Sequence, residues 1–250
     1  MSLHGRRILV TGAASGIGRG TARHLADQGA HVALLDRDRA GLDRMLSASP
    51  ASVPAAVADV TDADAVQAAV DTLAASLGGL DGVVNCAGVD LLQGFENTQA
   101  AQWQHVLGVN LLGPVNVCRA ALPALRRGTA PAIVNVASAA ALRPLPDRTA
   151  YCSSKAALVM FGKALAMDLA PDGIRVNSVC PGIVETPMLR ASVQDSPDPR
   201  AALASITDRY LIRRAGTVEE VAAAVAFLLG DAAGYITGSS LAVDGGRSFH

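Results

Sequence analysis

Tyr151 and Lys155 stand four residues apart in the stretch YCSSK, and the run that follows, AALVMFGKALAMDLA, reads as helix. Four residues is about one helical turn, so the phenol and the ammonium fall on the same face. Such a pair is either a contact on a helix surface or a phenol tuned for proton transfer. A free tyrosine has a pKa of roughly 10, too high for a good base near neutrality. A neighbouring ammonium favours the phenolate and lowers that value. Only 3% of this chain is aromatic, which makes a tyrosine at this spacing worth following.

A second set of residues suits a dinucleotide. The apolar run RILVT leads into the glycine-rich TGAASGIG, Thr11 to Gly18. Glycines after a strand let the backbone approach a pyrophosphate, and the next helix offers its first amides. Gly12, Gly16 and Gly18 depart from the commonest GxGxxG spacing, and a tight structural turn is the plain alternative; Ser15 and Ile17 lie within the same turn. HVALLD ends in Asp36. An acid there accepts hydrogen bonds from the adenosine ribose and repels the 2′-phosphate of NADP; otherwise it is a helix cap. Arg37 beside it would tolerate that phosphate, so NAD is the expected cofactor, with NADP less favoured. Asp59 ends the third strand, placed either to meet an adenine amino group, with the Val60 amide on a ring nitrogen, or to cap the helix from Thr61 to Leu77. In Asn85-Cys86-Ala87-Gly88, Asn85 is suited to bracing strands and Gly88 to letting the chain pass close to a cofactor.

The elements that must position these groups follow from hydrophobic periodicity. RILVT (from Arg7), HVALLD (from His31), VPAAVAD (from Val53), DGVVN (from Asp81), AIVNVAS (from Ala132) and IRVNSVCPG (from Ile174) are near-continuously apolar, as strands buried on both faces are. Between them lie helical segments, such as Asp62 to Leu77 with Val66, Val70, Leu73 and Leu77 on one stripe. Gly29, Gly78 with Gly79, and Gly173 are placed to end helices in the left-handed conformation. A last helix, Val218 to Leu229, and a last strand, Ser240 to Val243, close the chain. This alternation predicts a single doubly wound α/β domain over 1–250, with a parallel sheet of about seven strands and helices on both faces. The polar, proline-bearing stretch from Pro187 to Arg214 interrupts it and is expected to be a substrate loop or lid.

The 250 residues are half hydrophobic and 17% charged, with a net charge of −1. That balance gives no field to recruit nucleic acid or an anionic membrane. No apolar stretch approaches the roughly 20 residues of a membrane span, and the N-terminal apolar run is too short for a signal segment. Cys86, Cys118, Cys152 and Cys180 have neither metal-knuckle nor CxxC spacing, and read as small buried thiols of a reducing compartment. His4, His24, His31, His105 and His250 form no ligand pattern, so no metal is expected. A cytoplasmic location is the default.

Taken together, TGAASGIG, NCAG, Ser138 ahead of YCSSK, Pro181-Gly182 and Thr186 resemble the short-chain dehydrogenases/reductases, in the branch with chains of about this length, across nearly the whole sequence. The resemblance implies catalytic roles for Asn110, Ser138, Tyr151 and Lys155. Tyr151 would be the general acid/base, Lys155 would lower its pKa and bind the nicotinamide ribose, Ser138 would hold the substrate oxygen, and Asn110 would hold a water of a proton relay. Pro181, Gly182, Val184 and Thr186 would contact the nicotinamide end. A homotetramer is implied, built on the two helices around 99–127 and 149–170 and on a second face at DGGRSF.

Substrate contacts are expected from Asp90, Leu92, Gln93, Ala140, Arg143, Leu145, Met188 and Leu189 beside Ser138 and Tyr151. Their polar members favour a sugar, polyol or hydroxy acid as the small-molecule substrate. The leading expectation is an NAD-dependent dehydrogenase acting on a secondary alcohol. A 3-oxoacyl-thioester reductase and a dinucleotide-binding sensor without turnover are the alternatives.

Overall fold

The computed structural model describes residues 3–47, 53–194 and 196–249. Met1 and Ser2 of the N-terminal run, Asp195 of the proline-bearing stretch and His250 lie outside the described residues. The expected strands are β1 (Arg7–Thr11), β2 (His31–Asp36), β3 (Ala55–Val57), β4 (Gly82–Asn85), β5 (Ala132–Val136), β6 (Arg175–Pro181) and β7 (Ser240–Val243). They form one sheet in the order β3-β2-β1-β4-β5-β6-β7, parallel at every pairing. β3 is shorter than its apolar run suggested. It is an edge strand held only by β2, and Pro54 at its start has no N–H to donate.

The helices are α1 (Gly16–Asp27), α2 (Arg39–Ser47), α3 (Ala63–Leu77), α4 (Ala100–Leu107), α5 (Gly113–Leu125), α6 (Thr149–Asp168), α7 (Pro187–Val193), α8 (Pro199–Thr207) and α9 (Val218–Leu229). Strand alternation assigns them to two cores. Ile8 and Val10 of β1 pack with Leu25 of α1 and with Val221 and Val225 of α9. Leu9, between them, points to the other face and packs with Val66, Val70 and Leu73 of α3 and Val117 and Leu125 of α5. Helix ends follow local chemistry: Asp62 accepts from the Asp64 and Ala65 amides to start α3, and Gly78, at φ 71°, ends it. Thr217 and Glu220 form a reciprocal capping box at α9.

The strand order runs outward from β1 in both directions, so a crevice opens beyond the C-terminal ends of β1 and β4. At the opposite end Asp81 fastens β1 to β4, its carboxylate accepting from Arg7 Nε and Nη2 at 2.9 and 2.7 Å and from the Thr129 amide at 2.7 Å. Burial pushes that carboxyl up, but the hydrogen bonds from Arg7 and Thr129 hold it down at about 2.

α4 and α5 are joined by a π-helical turn, Gly108–Leu112, into one run from Ala100 to Leu125. This run corrects the expectation that no apolar stretch is long enough to span a membrane. By length and composition an 18-residue window of this 26-residue run, with mean hydropathy 1.3, suffices. Half of that window is buried inside the domain, where α5 packs on α3, so its apolar character serves the core.

Candidate active site

Two cavities open at the C-terminal ends of the strands and share Ile17, Thr186 and Met188. The first, of about 310 Å³, is lined by Gly12, Ser15, Gly16, Ile17, Gly18, Asp36, Arg37, Asp59, Val60, Ala87, Gly88 and Thr186 from the expected cofactor set. The glycine turn is shaped by close approach. Gly12 has φ 64°, and a Cβ on it would lie 2.7 Å from the Ala87 amide nitrogen; a Cβ on Gly18 would lie 2.1 Å from the Gly12 carbonyl. Thr11, which the motif reading passed over, ties the turn to the NCAG segment by accepting from the Cys86 and Ala87 amides at 3.1 and 3.2 Å. The Ser15 side chain makes no capping hydrogen bond, which leaves the first amides of α1 to the cavity.

Asp36 accepts from the Ala14 amide through Oδ2 and from the Asp38 amide through Oδ1, each at 2.9 Å. Its carboxylate is thus fixed on the cavity wall at the end of β2. Asp59 does not cap α3, since Asp62 does. Asp59 instead accepts from the Thr61 amide and hydroxyl and pairs with Arg37 at 3.5 Å. The Thr61 amide bond is the main cause of its lowered pKa. Uncapped amides, a glycine cradle and a fixed carboxylate fit the pyrophosphate and the adenosine ribose of a dinucleotide.

Six members of the expected cofactor set do not line this cavity: Asn85, Pro181, Gly182 and Val184, together with Tyr151, which lines the second cavity, and Lys155, which is buried. Asn85 does not reach the cavity: buried in the sheet, it donates to Asn135 Oδ1 at 2.9 Å and braces β4 against β5. Pro181, Gly182 and Val184 line the second cavity rather than the first, because β6 ends farther along the sheet.

The second cavity, of about 180 Å³, holds Ser138, Tyr151, Ala140, Asp90, Arg143, Leu145, Met188 and Leu189. Gln93 is not on its wall. It donates to the Asn97 carbonyl and accepts from Gln102, holding its own loop together. Leu92 is exposed and off the wall as well. Asp90 is committed to an ion pair with Arg148 at 3.0 Å. Arg148, Arg209, Tyr210 and Arg247 also line this cavity; no motif pointed to the first three, and Arg247 was read only within DGGRSF, as part of an oligomer face.

The acid–base group is assembled from β5, the π turn and α6. Ser138 accepts from the Ala140 amide at 3.1 Å, and its hydroxyl meets the Tyr151 phenol. Lys155, one turn on, has its Nζ 5.9 Å from the Tyr151 ring centre, but its hydrogen bond goes to the Val136 carbonyl at 3.0 Å. This corrects the expected acidification. Burial pushes the Tyr151 phenol up to about 12, only partly opposed by Ser138, and pushes the Lys155 ammonium down to about 8. Asn110 is fully buried in the π turn. It accepts from the Val89 amide and donates to the Val89 carbonyl and Ser154 Oγ, each at 2.9 Å. A Cβ on Gly88 would lie 3.3 Å from both Asn110 Oδ1 and Lys155 Nζ, so the two buried side chains flank that glycine, which lines the first cavity. Among the described residues, no cluster of three His, Cys, Asp or Glu side chains could hold a metal.

The family model described as enoyl-(acyl carrier protein) reductase matches residues 12–248. 2-(S)-hydroxypropyl-CoM dehydrogenase 3 of Xanthobacter autotrophicus is 37% identical over 96% of this chain and 96% of its own. L-xylulose reductase of Mus musculus is 40% identical over 98% of each chain. The crystal structure of 3-ketoacyl-(acyl-carrier-protein) reductase from Brucella melitensis, complexed with NADH, superposes with a TM-score of 0.90 at 34% identity, covering 99% of this chain and all of the other. Fold, site and relatives define an oxidoreductase that uses a nicotinamide dinucleotide on a CH–OH group. The chain belongs to the short-chain dehydrogenase/reductase family.

Proposed function

We propose that this protein interconverts a small secondary alcohol and its ketone with NAD as the preferred cofactor and Tyr151 as the general acid/base. The observation that carries the reading is the meeting of the Ser138 hydroxyl with the Tyr151 phenol at the wall of one cavity, with Lys155 and Asn110 flanking Gly88, which lines the other. When bound, the dinucleotide supplies the hydride acceptor or donor. Ser138 holds the substrate oxygen, and Tyr151 takes the hydroxyl proton in oxidation and returns it in reduction. Burial favours the protonated phenol, the form that gives its proton to the alkoxide as a ketone is reduced. In this reading Lys155 turns from the Val136 carbonyl to hold the nicotinamide ribose, and Asn110 positions the segment after Gly88 through its hydrogen bonds to Val89. NAD preference is supported by the fixed Asp36 carboxylate, and by Arg37 being engaged with Asp59 rather than offered to a phosphate.

α7 and α8, from the proline-bearing stretch, bring Met188, Leu189 and Ile206 to the substrate cavity, which supports a lid role for 187–214. A homotetramer is supported by exposed apolar side chains on the expected faces: Leu112 in the π turn, Met160 and Met167 on α6, and Phe249 near the C-terminus. Four free cysteines suit a cytoplasmic setting. The 3-ketoacyl-(acyl-carrier-protein) reductase likeness favours a second reading, reduction of an acyl-thioester ketone by the same residues.

The test is NADH formation from NAD across secondary alcohols, sugars, polyols and hydroxy acids, with Tyr151→Phe and NADP in parallel. Turnover with NAD that falls at least about a hundredfold in the variant is expected. Turnover unchanged in Tyr151→Phe overturns the acid–base assignment, and faster turnover of 3-oxoacyl thioesters with NADPH moves the second reading to the front.

A further inference from the structure

The substrate cavity carries four arginines, Arg143, Arg148, Arg209 and Arg247, and one carboxylate, Asp90. Asp90 and Arg148 neutralise each other at 3.0 Å. Among the described residues, Arg143, Arg209 and Arg247 form no ion pair at all. Arg143 and Arg209 are exposed, but Arg247 is only 8% exposed and its Nε has no hydrogen-bond partner. The nearby Asp244 does not serve it: its two carboxylate oxygens accept from the Gly246 and Ser248 amides at 3.0 and 2.8 Å. Arg209 and Arg247 line the same cavity as the buried Tyr210, whose phenolic oxygen accepts from the Ile183 amide at 3.1 Å.

A guanidinium taken out of water and left unpaired is costly, and Arg247 is in that position. With the solvated, unpaired guanidiniums of Arg143 and Arg209 around the same cavity, which also holds Ser138 and Tyr151, it makes a receptor for negative charge. We propose that the natural substrate is a small secondary alcohol or ketone that also bears an oxyanion, a carboxylate, sulfonate or phosphate, received by Arg209 and Arg247 with Arg143 at the mouth. The proposal deepens, and rests on, the dehydrogenase reading. A neutral substrate of the same shape would bury against guanidiniums it cannot pair, and a site built for a polar group rejects the analogue that lacks it. The planar fork of arginine suits all three oxyanions.

The experiment compares kcat/KM with NAD for matched pairs: 3-hydroxybutyrate against its methyl ester, 2-hydroxypropanesulfonate against 2-propanol, and glycerol 3-phosphate against glycerol. The charged member of at least one pair is expected to win by about ten- to a hundredfold, the value of a charged hydrogen bond. The pair that does so identifies the oxyanion. Arg209→Gln, on the surface, should raise KM for that anion and leave its neutral partner nearly unmoved. Arg247→Gln should do the same more strongly, and Arg247→Lys should restore part of the loss if the Gln variant folds poorly. In parallel, calorimetry follows binding of 3-hydroxybutyrate, propanesulfonate and propyl phosphate to the NADH-loaded enzyme. Neutral alcohols turned over as well as their anions overturn the proposal and leave the dehydrogenase reading standing. Saturable anion binding, lost in Arg209→Gln, without turnover of any alcohol or ketone supports the anion subsite and overturns the dehydrogenase reading. Neither binding nor turnover of an anion overturns the proposal outright.

Discussion

Lys155 Nζ lies 5.9 Å from the ring centre of Tyr151 yet donates to the Val136 carbonyl at 3.0 Å, so the pair is close without being joined by a hydrogen bond. The helix sets the proximity, and the interior of the protein sets the charges. Desolvation penalises both ionised forms, and it raises the phenol while lowering the ammonium.

Lys155 therefore makes stability depend on pH in a defined direction. Its pKa falls from 10.5 in the unfolded chain to about 8 in the folded one. Between those values the unfolded state binds the extra proton, so stability rises with pH across that window. Below about pH 8 both states are protonated and the full burial penalty is present. Cys86 and Tyr151, whose pKa values are raised, act the other way at higher pH. The difference between wild type and Lys155→Met removes the Tyr151 contribution and leaves only the part of the Cys86 contribution that depends on Lys155. In urea denaturation, the stability of the wild type relative to the variant is expected to grow by about 3 kcal/mol between pH 8 and 10.5. A difference that does not change with pH would mean that Lys155 keeps its ordinary pKa.

Asp36 sets a second expectation, about cofactor choice. Its carboxylate is immobilised by the Ala14 and Asp38 amides, so it cannot swing away from a 2′-phosphate. Asp36→Asn removes the charge and keeps one amide acceptor. The ratio of kcat/KM for NADP to that for NAD is expected to rise by about ten- to a hundredfold, since two like charges a few ångströms apart cost about this much at intermediate dielectric. Most of the change should appear in KM. An unchanged ratio would assign cofactor choice to Arg37 or to the cavity shape.

What was legible in the sequence was local. β1, β2, α9 and β7 lie where their apolar runs place them, because strand and helix periodicity is written in neighbouring residues. TGAASGIG could be read as a close-approach turn because only glycine tolerates the Gly12 and Gly18 contacts. Asn85, read as a strand brace, does brace β4 to β5 through Asn135, but nothing local barred it from the cofactor set as well; Gln93 was misread because its own loop claims it through Asn97 and Gln102. Arg247 could not be placed beside Arg209 from spacing alone, since β7 and the chain after it must first dock on β6. The Tyr151–Lys155 spacing was right and its electrostatic consequence was not, because a helical wheel carries no information on desolvation.

Asn110 concentrates the same lesson in one side chain. Asparagine is unfavourable in a helix interior, and here the helix loosens into a π turn around it. Its amide pairs with both the N–H and the C=O of Val89 and with Ser154 Oγ, while Ser154 itself donates to the Tyr151 carbonyl at 2.7 Å. It thus ties the segment after Gly88 to the first turn of α6. Asn110→Ala leaves two buried backbone groups unpaired and should cost about 2 kcal/mol of stability. A purely structural loss would end there. A positioning role predicts more: amide exchange at Val89 accelerated beyond the global change, and kcat reduced with little change in the KM for NAD. Asn110→Asp separates the contributions, because it can still accept from the Val89 amide but sets a carboxylate against the Val89 carbonyl. If kcat in Asn110→Asp falls as far as in Asn110→Ala, the donor side of the amide is what holds the Val89 segment in place for turnover.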